Sequence, residues 1–257
     1  MVKTLITLLL TVALVNAQNH RHRRVEFGAY RFGNVALYLD AKYMGGAGTN
    51  DGAAVTTWRD LGPNGNNAVQ STAGSKPLYS NSWANASGQA ILSFDGTDDW
   101  MNVLALSLDT FHSGLWIAHN EAPGRLWLEH GTNVAHIDQE GFAVTDANLA
   151  FVARDAGSHN YSRTGWGTNK WLVMLWTYGG SGTNYSRTNG VTWIEDTVAG
   201  TARASSLHST NLYIGARGGF DRFMLGETSA LWLKNAQLQV DQLILLENHF
   251  RRRFKWF

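Results

Sequence analysis

The chain has no cysteine and only three prolines among its 257 residues. Without cysteine it has no disulfide framework, no thiolate metal site and no cysteine nucleophile. Charged residues make up only 16% and the formal net charge is +1, so we expect no strong electrostatic field. The sequence also lacks a phosphate-binding glycine loop with lysine and a Gly-x-Ser-x-Gly nucleophile elbow. Enzymes that depend on a cysteine nucleophile, on a phosphate-binding loop or on a serine at such an elbow therefore have no support in the sequence.

Positive charge is concentrated near the two ends of the chain, in residues 20–24 and 251–255. Nucleic-acid binding requires a basic face with base-stacking or groove-reading elements, and the sequence between the ends supplies none. We therefore expect no nucleic-acid partner and interpret both segments as solvated ends or as contacts with an acidic neighbour. His20 and His22 could bind zinc weakly, but a solvated tail is the preferred interpretation.

The first seventeen residues have the layout of a secretory signal peptide. A short basic start precedes an apolar run over residues 4–15, and small residues follow up to Ala17. The run is too short for a comfortable transmembrane helix, so we expect no stable membrane span. The alternative for residues 1–17 is a retained hydrophobic arm used in assembly. Residues 18–34 are polar and basic and are interpreted as a linker or tail.

Between residue 35 and about residue 234 the chain is a succession of short segments rich in aromatic and β-branched residues. Its 27 glycines suit a fold with many tight turns, which need positive φ. Segment 171–176 is apolar at every position, which predicts a strand covered on both faces. Asn189 and Gly190 between two such segments predict a hairpin, because a type I′ turn needs positive φ at two successive residues.

Only the C-terminal end shows helical spacing. Leu243, Leu246 and Phe250 fall on one helical face, with Asp241 in the first turn and arginines 251–253 in the last. About a dozen strands followed by one short helix predict an all-β fold, a two-sheet antiparallel jelly-roll sandwich over residues 35–257.

Several short motifs within residues 35–254 resemble those of one known family. They are Leu-Tyr-Leu-Asp-Ala at 37–41, Val-Thr-Thr-Trp-Arg-Asp-Leu at 55–61, Asn-Gly-Asn-Asn-Ala at 64–68 and Leu-Ser-Phe-Asp-Gly-Thr-Asp-Asp-Trp at 92–100. They are similar to the laminin-G-like, concanavalin A-like lectin/glucanase jelly rolls of secreted and phage-virion proteins. The central strand after Asn169, the strand 212–215 and the closing helix with Glu247 extend the resemblance.

The resemblance implies a non-catalytic, lectin-like surface module. Its partners would be glycans, neighbouring copies of itself, or both. In the second case the chain would be a structural or adhesion subunit of a virion or an extracellular assembly, a homo-oligomer held by the N-terminal arm and the basic C-terminus. The implied location is extracellular, with the virion as the alternative.

Aromatic residues in polar segments are the candidates for glycan binding. Flat rings offer apolar faces to sugar rings, and neighbouring amides can bond their hydroxyls. The candidates are Trp166, Tyr161, Tyr185, Asn160 and Asn184. The last four lie in two copies of Asn-Tyr-Ser-Arg-Thr, at 160–164 and 184–188, which would form one strip if their strands flanked segment 171–176. The alternatives are a chance repeat and aromatics that cover the edge of the core. Trp58, Trp100, Trp116, Trp171 and Trp232 are expected to pack in the core.

Asp95, Asp98 and Asp99 surround Gly96 and offer oxygen ligands to a calcium ion. Turn formation is the preferred interpretation, because aspartate side chains bond nearby backbone amides in tight turns. Calcium is the one cofactor that we consider for this chain.

Catalytic members of the wider superfamily carry a Glu-x-Asp-x-Glu strand, which places carboxylates on one face. The nearest match is residues 136–140, where Asp138 and Glu140 fit but His136 occupies the position of the nucleophile. A neutral imidazole does not replace a carboxylate nucleophile in this mechanism. We therefore expect no enzyme activity, and a glycoside hydrolase using Asp138 and Glu140 is the alternative.

The intact mass of the mature protein distinguishes the two interpretations of its N-terminus. A signal peptide predicts a mass that lacks residues 1–17, because signal peptidase cleaves after a small residue such as Ala17. An assembly arm predicts the full mass of 28.4 kDa.

Overall fold

The computed structural model describes residues 33–44, 50–83, 88–109, 111–121, 127–131, 141–145, 150–155, 157–161, 170–179, 184–188, 193–196, 207–219 and 222–254. Residues 34–257 form one unit, separate from residues 1–33. Among the described residues, no helix combines the length and the apolar character needed to cross a membrane.

Sixteen strands and one α-helix lie in the described residues. The strands are β1 (Val35–Asp40), β2 (Thr57–Trp58), β3 (Ala68–Val69), β4 (Leu78–Trp83), β5 (Gln89–Asp95), β6 (Met101–Leu108), β7 (Phe111–Asn120), β8 (Trp127–Gly131), β9 (Gly141–Thr145), β10 (Ala150–Asp155), β11 (Gly157–Tyr161), β12 (Lys170–Gly179), β13 (Asn184–Thr188), β14 (Trp193–Asp196), β15 (Leu207–Ile214) and β16 (Leu225–Lys234). The helix, α1, spans Val240–Phe254.

The strands form two antiparallel sheets of eight strands each. Sheet A has the order β14-β13-β12-β7-β16-β5-β4, and β1 pairs with β16 alongside β5. Sheet B has the order β11-β10-β9-β8-β15-β6-β3-β2. Strand β16 is shared, since its first half pairs with β5 and its second half with β1. The predicted all-β sandwich with one C-terminal helix is confirmed.

A single apolar core fills the space between the two sheets. Sheet A contributes Trp116 and Trp176, and sheet B contributes Met101, Leu128 and Ile214. The predicted core tryptophans Trp58, Trp116 and Trp232 are fully buried, whereas Trp100 and Trp171 are partly exposed. Gly114 is opposite Trp176 in the register, where an added Cβ would come within 2.0 Å of the indole. A glycine at this position is what allows the indole to lie across β7.

The central strands of sheet A are also buried on the outer face. Along β12, every residue from Leu172 to Thr177 is buried, so the expected strand with two covered faces is confirmed. Helix α1 covers part of this outer face, where Phe250 meets Tyr38 edge-on with ring centroids 6.1 Å apart. The predicted helical face is confirmed, because Leu243, Leu246 and Phe250 are fully buried.

Two ion pairs attach α1 to sheet A. Arg253 pairs with Asp40 at the end of β1 and donates to the Tyr38 hydroxyl over 3.0 Å. Arg187 on β13 pairs with Glu247. Because Asp40 is almost fully buried, removing Arg253 would leave an uncompensated buried charge, whereas Glu247 would keep a longer ion pair of 4.0 Å with Arg251 if Arg187 were removed.

Asp60 fixes the first strand to the loop that follows β2. Its carboxylate is 5% exposed and accepts backbone N–H groups from Tyr38, Gly62 and Asn66 over 2.7–2.8 Å. The Asn66 side-chain amide donates to the Ala36 carbonyl over 2.9 Å. Backbone hydrogen bonding therefore explains Asp60 in the motif at 55–61 and Asn66 in the motif at 64–68.

We predict that Asp60→Ala lowers the free energy of unfolding by about 3 kcal/mol, because it removes charge-assisted bonds and leaves buried N–H donors unsatisfied. Urea denaturation measures this loss. Asp51→Ala is the matched control, since the exposed Asp51 carboxylate also accepts bonds, from Ser80 and from the Asn81 amide. Its cost should be below about 1 kcal/mol. Equal losses in the two variants would contradict the role of Asp60.

Candidate functional site

The aspartates after β5 form a closed turn. The Asp95 side chain accepts the backbone N–H of Thr97 over 2.8 Å and that of Asp98 over 3.3 Å. Gly96 has φ +76°, and a Cβ there would also come within 2.9 Å of Leu225. Asp99 accepts the backbone N–H of Asp95 over 3.1 Å. The side chains of Asp95 and Asp99 therefore accept nearby backbone amides, as aspartates in tight turns do.

The same turn brings three carboxylates together. One oxygen each from Asp95, Asp98 and Asp99 lie within 4.8 Å of one another, and the Ser75 hydroxyl donates to Asp98 over 3.4 Å. Burial raises the pKa of Asp99 to about 7, and the neighbouring charges of Asp95 and Asp98 add to this effect. Calcium usually takes six to eight oxygen ligands, so the turn alone would supply about half of them. Calcium binding here stays a prediction.

Two aromatic rings adjoin these aspartates. Trp100 follows Asp99 directly, and its indole lies 5.8 Å from the Tyr213 ring at an angle of 45°. Gln70 donates to the Trp100 carbonyl over 3.1 Å, and Gly219 is so close that an added Cβ would come within 3.0 Å of the indole. Trp100 and Tyr213 are both partly exposed. We call Asp95, Asp98, Asp99, Trp100 and Tyr213 the aspartate–aromatic turn.

A second polar cluster lies at one end of the outer face of sheet A. Trp171, His119 and Glu227 form one cross-strand row over β12, β7 and β16. His119 Nδ1 is 2.6 Å from a Glu227 carboxylate oxygen, and the His119 and Trp171 ring centroids are 5.4 Å apart. Glu121 completes the cluster, and its backbone N–H donates to the Leu225 carbonyl over 3.1 Å.

The surroundings of Glu121 raise the pKa of its carboxyl group. Burial raises its pKa, the negative charge of Glu227 and a hydrogen bond to that carboxyl raise it further, and His119 opposes the shift. Sequence inspection missed this cluster because Glu227 is more than a hundred residues away. The one local signal was His119-x-Glu121, whose spacing places two side chains on the same face of a strand.

The predicted glycan-binding residues are spread over both sheets. Asn160 and Tyr161 end β11 at the edge of sheet B, whereas Asn184 and Tyr185 begin β13 in sheet A. The neighbours of β12 are β7 and β13, so the two pentapeptide copies do not flank it. Trp166 lies outside the described residues. Glycan binding by these five residues stays a prediction.

The alternative catalytic residues Asp138 and Glu140 also lie outside the described residues, as do His20, His22 and residues 1–17. The Asn189–Gly190 turn lies outside them too, although the strands on either side of it, β13 and β14, pair in the antiparallel arrangement that a hairpin requires.

Several solved structures share this fold. Domain 4 of AbnA, a GH43 extracellular arabinanase from Geobacillus stearothermophilus, was solved with arabinotriose and is 13% identical, with a TM-score of 0.56 over 83% of this chain and 98% of that one. The binding domain of botulinum neurotoxin serotype G is 12% identical, with a TM-score of 0.56 over 85% and 51%. Trypanosoma rangeli sialidase, solved with the inhibitor DANA, is 14% identical, with a TM-score of 0.51 over 82% and 32%.

These likenesses establish the β-sandwich fold and no more, because the identities are low. The chain spans about half of the neurotoxin domain and about a third of the sialidase. No protein-family model and no curated protein matches the sequence.

We predict that stability falls as the pH rises from about 4 to about 7. Burial raises the pKa of Asp99 from its ordinary value of 3.8 to about 7, so the folded state binds a proton that the unfolded state has already lost. Asp99→Asn keeps an acceptor for the Asp95 amide but does not ionise, so its melting temperature should decline less over this interval. Asp51→Asn, at an exposed site, serves as the control. Parallel melting curves for wild type and Asp99→Asn would exclude the raised pKa.

Proposed function

We propose that the protein is a non-catalytic, lectin-like surface module that binds glycans at the aspartate–aromatic turn. The observation that carries this proposal is that Trp100, whose partly exposed ring meets that of Tyr213, directly follows the turn that brings three carboxylates together. An aromatic face packs against the C–H groups of a sugar ring, while carboxylates accept bonds from its hydroxyls. The aromatic rings would supply affinity, and the carboxylates would fix the orientation of the sugar.

The rigidity of the turn supports the proposal. Backbone amides hold Asp95 and Asp99, and Gln70 holds the backbone of Trp100. A site whose side chains are already ordered loses less conformational entropy when a ligand binds. Calcium would add to this order if the three carboxylates take it up.

The structural neighbours support the sugar class. One is a single domain of nearly the same length solved with arabinotriose, and the serotype D ligand-binding domain of botulinum neurotoxin was solved with N-acetylneuraminic acid. The arabinanase domain is the stronger support, because this chain matches 98% of it and only 51% of the neurotoxin domain. This support rests on analogy of fold.

One described pair of carboxylates, Glu121 and Glu227, lacks the spacing of a glycosidase pair. Glycosidase pairs stand about 5–5.5 Å apart in retaining enzymes and about 6.5–9.5 Å apart in inverting ones. Glu121 and Glu227 are in hydrogen-bond contact and are therefore too close for either mechanism. A glycoside hydrolase that uses Asp138 and Glu140 is the competing proposal. Release of reducing ends from a polysaccharide, abolished by Glu140→Gln, would establish it.

We place this module outside the cell or on a virion, where a glycan-binding surface meets its ligands. Neighbouring copies of the chain are the second class of partner in this proposal. Light scattering on the protein with an intact N-terminus measures that assembly, and a strict monomer would restrict the proposal to glycan binding.

The binding test begins with a broad glycan array, followed by calorimetric titration of the strongest hit. We expect Trp100→Ala to weaken that interaction at least tenfold, because it removes the ring that covers the sugar. Phe111→Ala is the matched control, since Phe111 is an aromatic residue that is 51% exposed and lies outside the turn. The Phe111→Ala variant should bind the selected glycan with the affinity of wild type.

Trp166→Ala tests the site that the sequence suggested. If Trp166→Ala loses glycan binding and Trp100→Ala retains it, the binding site includes Trp166 and is not the aspartate–aromatic turn. No binding across the array, with or without calcium, would refute the glycan-binding function itself.

A further inference from the structure

The cluster of His119, Glu121 and Glu227 is assembled by the register of the sheet. His119 and Glu227 are direct cross-strand partners on β7 and β16, and His119 is also opposite Trp171 on β12. Side chains of directly opposed residues lie on the same face of a sheet, so the three share one row. The contact between the Glu121 amide and the Leu225 carbonyl fixes the chain where β7 ends.

This cluster holds more negative charge than its surroundings compensate. His119 is 3% exposed and Glu227 is 1% exposed, and Glu121 reaches them from the exposed rim. In the part of the chain that the structure describes, neither glutamate forms an ion pair with lysine or arginine. A buried carboxylate and an exposed one in contact repel each other unless a proton or another cation lies between them. The raised pKa of Glu121 expresses the same repulsion.

The donor atoms are those of a transition-metal site. One imidazole nitrogen and two carboxylate oxygens lie within 4.8 Å of one another. Zinc bonds to histidine nitrogen and carboxylate oxygen are about 2.0–2.2 Å long, so donors around one ion stand at most about 4.4 Å apart. To hold an ion, the exposed Glu121 carboxylate would turn inward, and His119 Nδ1 and the Glu227 oxygen, now 2.6 Å apart, would separate. An imidazole ligand favours zinc and its neighbours over calcium, which prefers oxygen.

We propose that His119, Glu121 and Glu227 bind one divalent transition-metal ion, for which Zn²⁺ is the probe. The ion takes the place of the proton that His119 Nδ1 and Glu227 now share, and it neutralises both carboxylates. Three protein ligands leave a coordination position open for water or for an oxygen of a ligand. Trp171 forms an aromatic wall beside the histidine. This site shares no residue with the aspartate–aromatic turn, and its failure would leave the proposed glycan binding untouched.

The test is calorimetric titration of Zn²⁺ into the full chain after removal of metals with a chelator. We expect one ion per chain and a higher melting temperature when zinc is present, because zinc binds the folded site. Glu121→Gln should lower the zinc affinity at least tenfold and abolish the thermal shift. Because Glu121 is exposed, this variant should fold, and its melting temperature without metal confirms that it does.

Two control variants assign the ion to this cluster. Asp98→Asn changes the calcium candidate at the aspartate–aromatic turn and should leave the zinc affinity unchanged. The double variant His20→Ala, His22→Ala removes the histidines of the N-terminal tail and should also bind zinc like wild type. Loss of zinc binding in either control would refute the assignment.

A spectroscopic measurement places the ion beside Trp171. Co²⁺ should quench part of the tryptophan fluorescence, and Trp171→Phe should remove that part while Co²⁺ still binds. Quenching that is equal in wild type and Trp171→Phe would contradict the location. An absence of heat and of thermal shift up to millimolar Zn²⁺ would refute the site and identify the cluster as a proton-sharing contact within the sheet.

Discussion

The burial of the central strands of sheet A on both faces is the constraint on which the rest of the structure depends. The core between the sheets covers one face, and helix α1 covers part of the other. A strand in this position has no solvent side, so each polar group on it needs a partner within the protein. Asp40 forms an ion pair with Arg253. The Ser113 hydroxyl donates a hydrogen bond to Thr177, and the Trp116 indole donates one to Thr228. The pairing of His119 with Glu227 belongs to the same set.

This constraint separates the polar groups that maintain the fold from those that are available for function. Asp60 and Asp40 use their oxygens on backbone amides and on the helix, and nothing in their geometry is left for a ligand. The aspartate–aromatic turn and the cluster around His119 lie where strands end, and each includes a partly or fully exposed member, Trp100 or Glu121. Function in sandwiches of this kind is carried by strand ends and loops, because the rigid sheets position them.

The sandwich architecture could be predicted from the sequence because most of the strands and the helix have a signal in their own segments. Strand segments with aromatic and β-branched residues, the doubly apolar segment that became β12, and the spacing of Leu243, Leu246 and Phe250 all predicted what is found. Short strands such as β3 were missed, since two residues carry no periodicity. Local sequence signals also do not define strand order. The sequence therefore allowed both pentapeptide copies to flank β12, whereas only the second copy lies beside it.

Candidate sites were harder to predict because their residues are joined by register rather than by spacing. Asp95, Asp98 and Asp99 were visible as neighbours in one turn, whereas the approach of Tyr213 to Trp100 depends on how β15 pairs with β6. Trp100 was expected in the core, yet its ring is partly exposed. His119 and Glu227 meet only because β16 returns to pair with β7.

The most direct test of the central claim is nuclear magnetic resonance of the indole N–H groups during titration with the glycan that binds best. Eleven tryptophans give eleven signals, and single Trp→Phe variants assign them. We expect the signal of Trp100 to shift with the ligand while those of the buried Trp58 and Trp116 stay in place. A saturating ligand that leaves the Trp100 signal unchanged and moves another indole would contradict the claim.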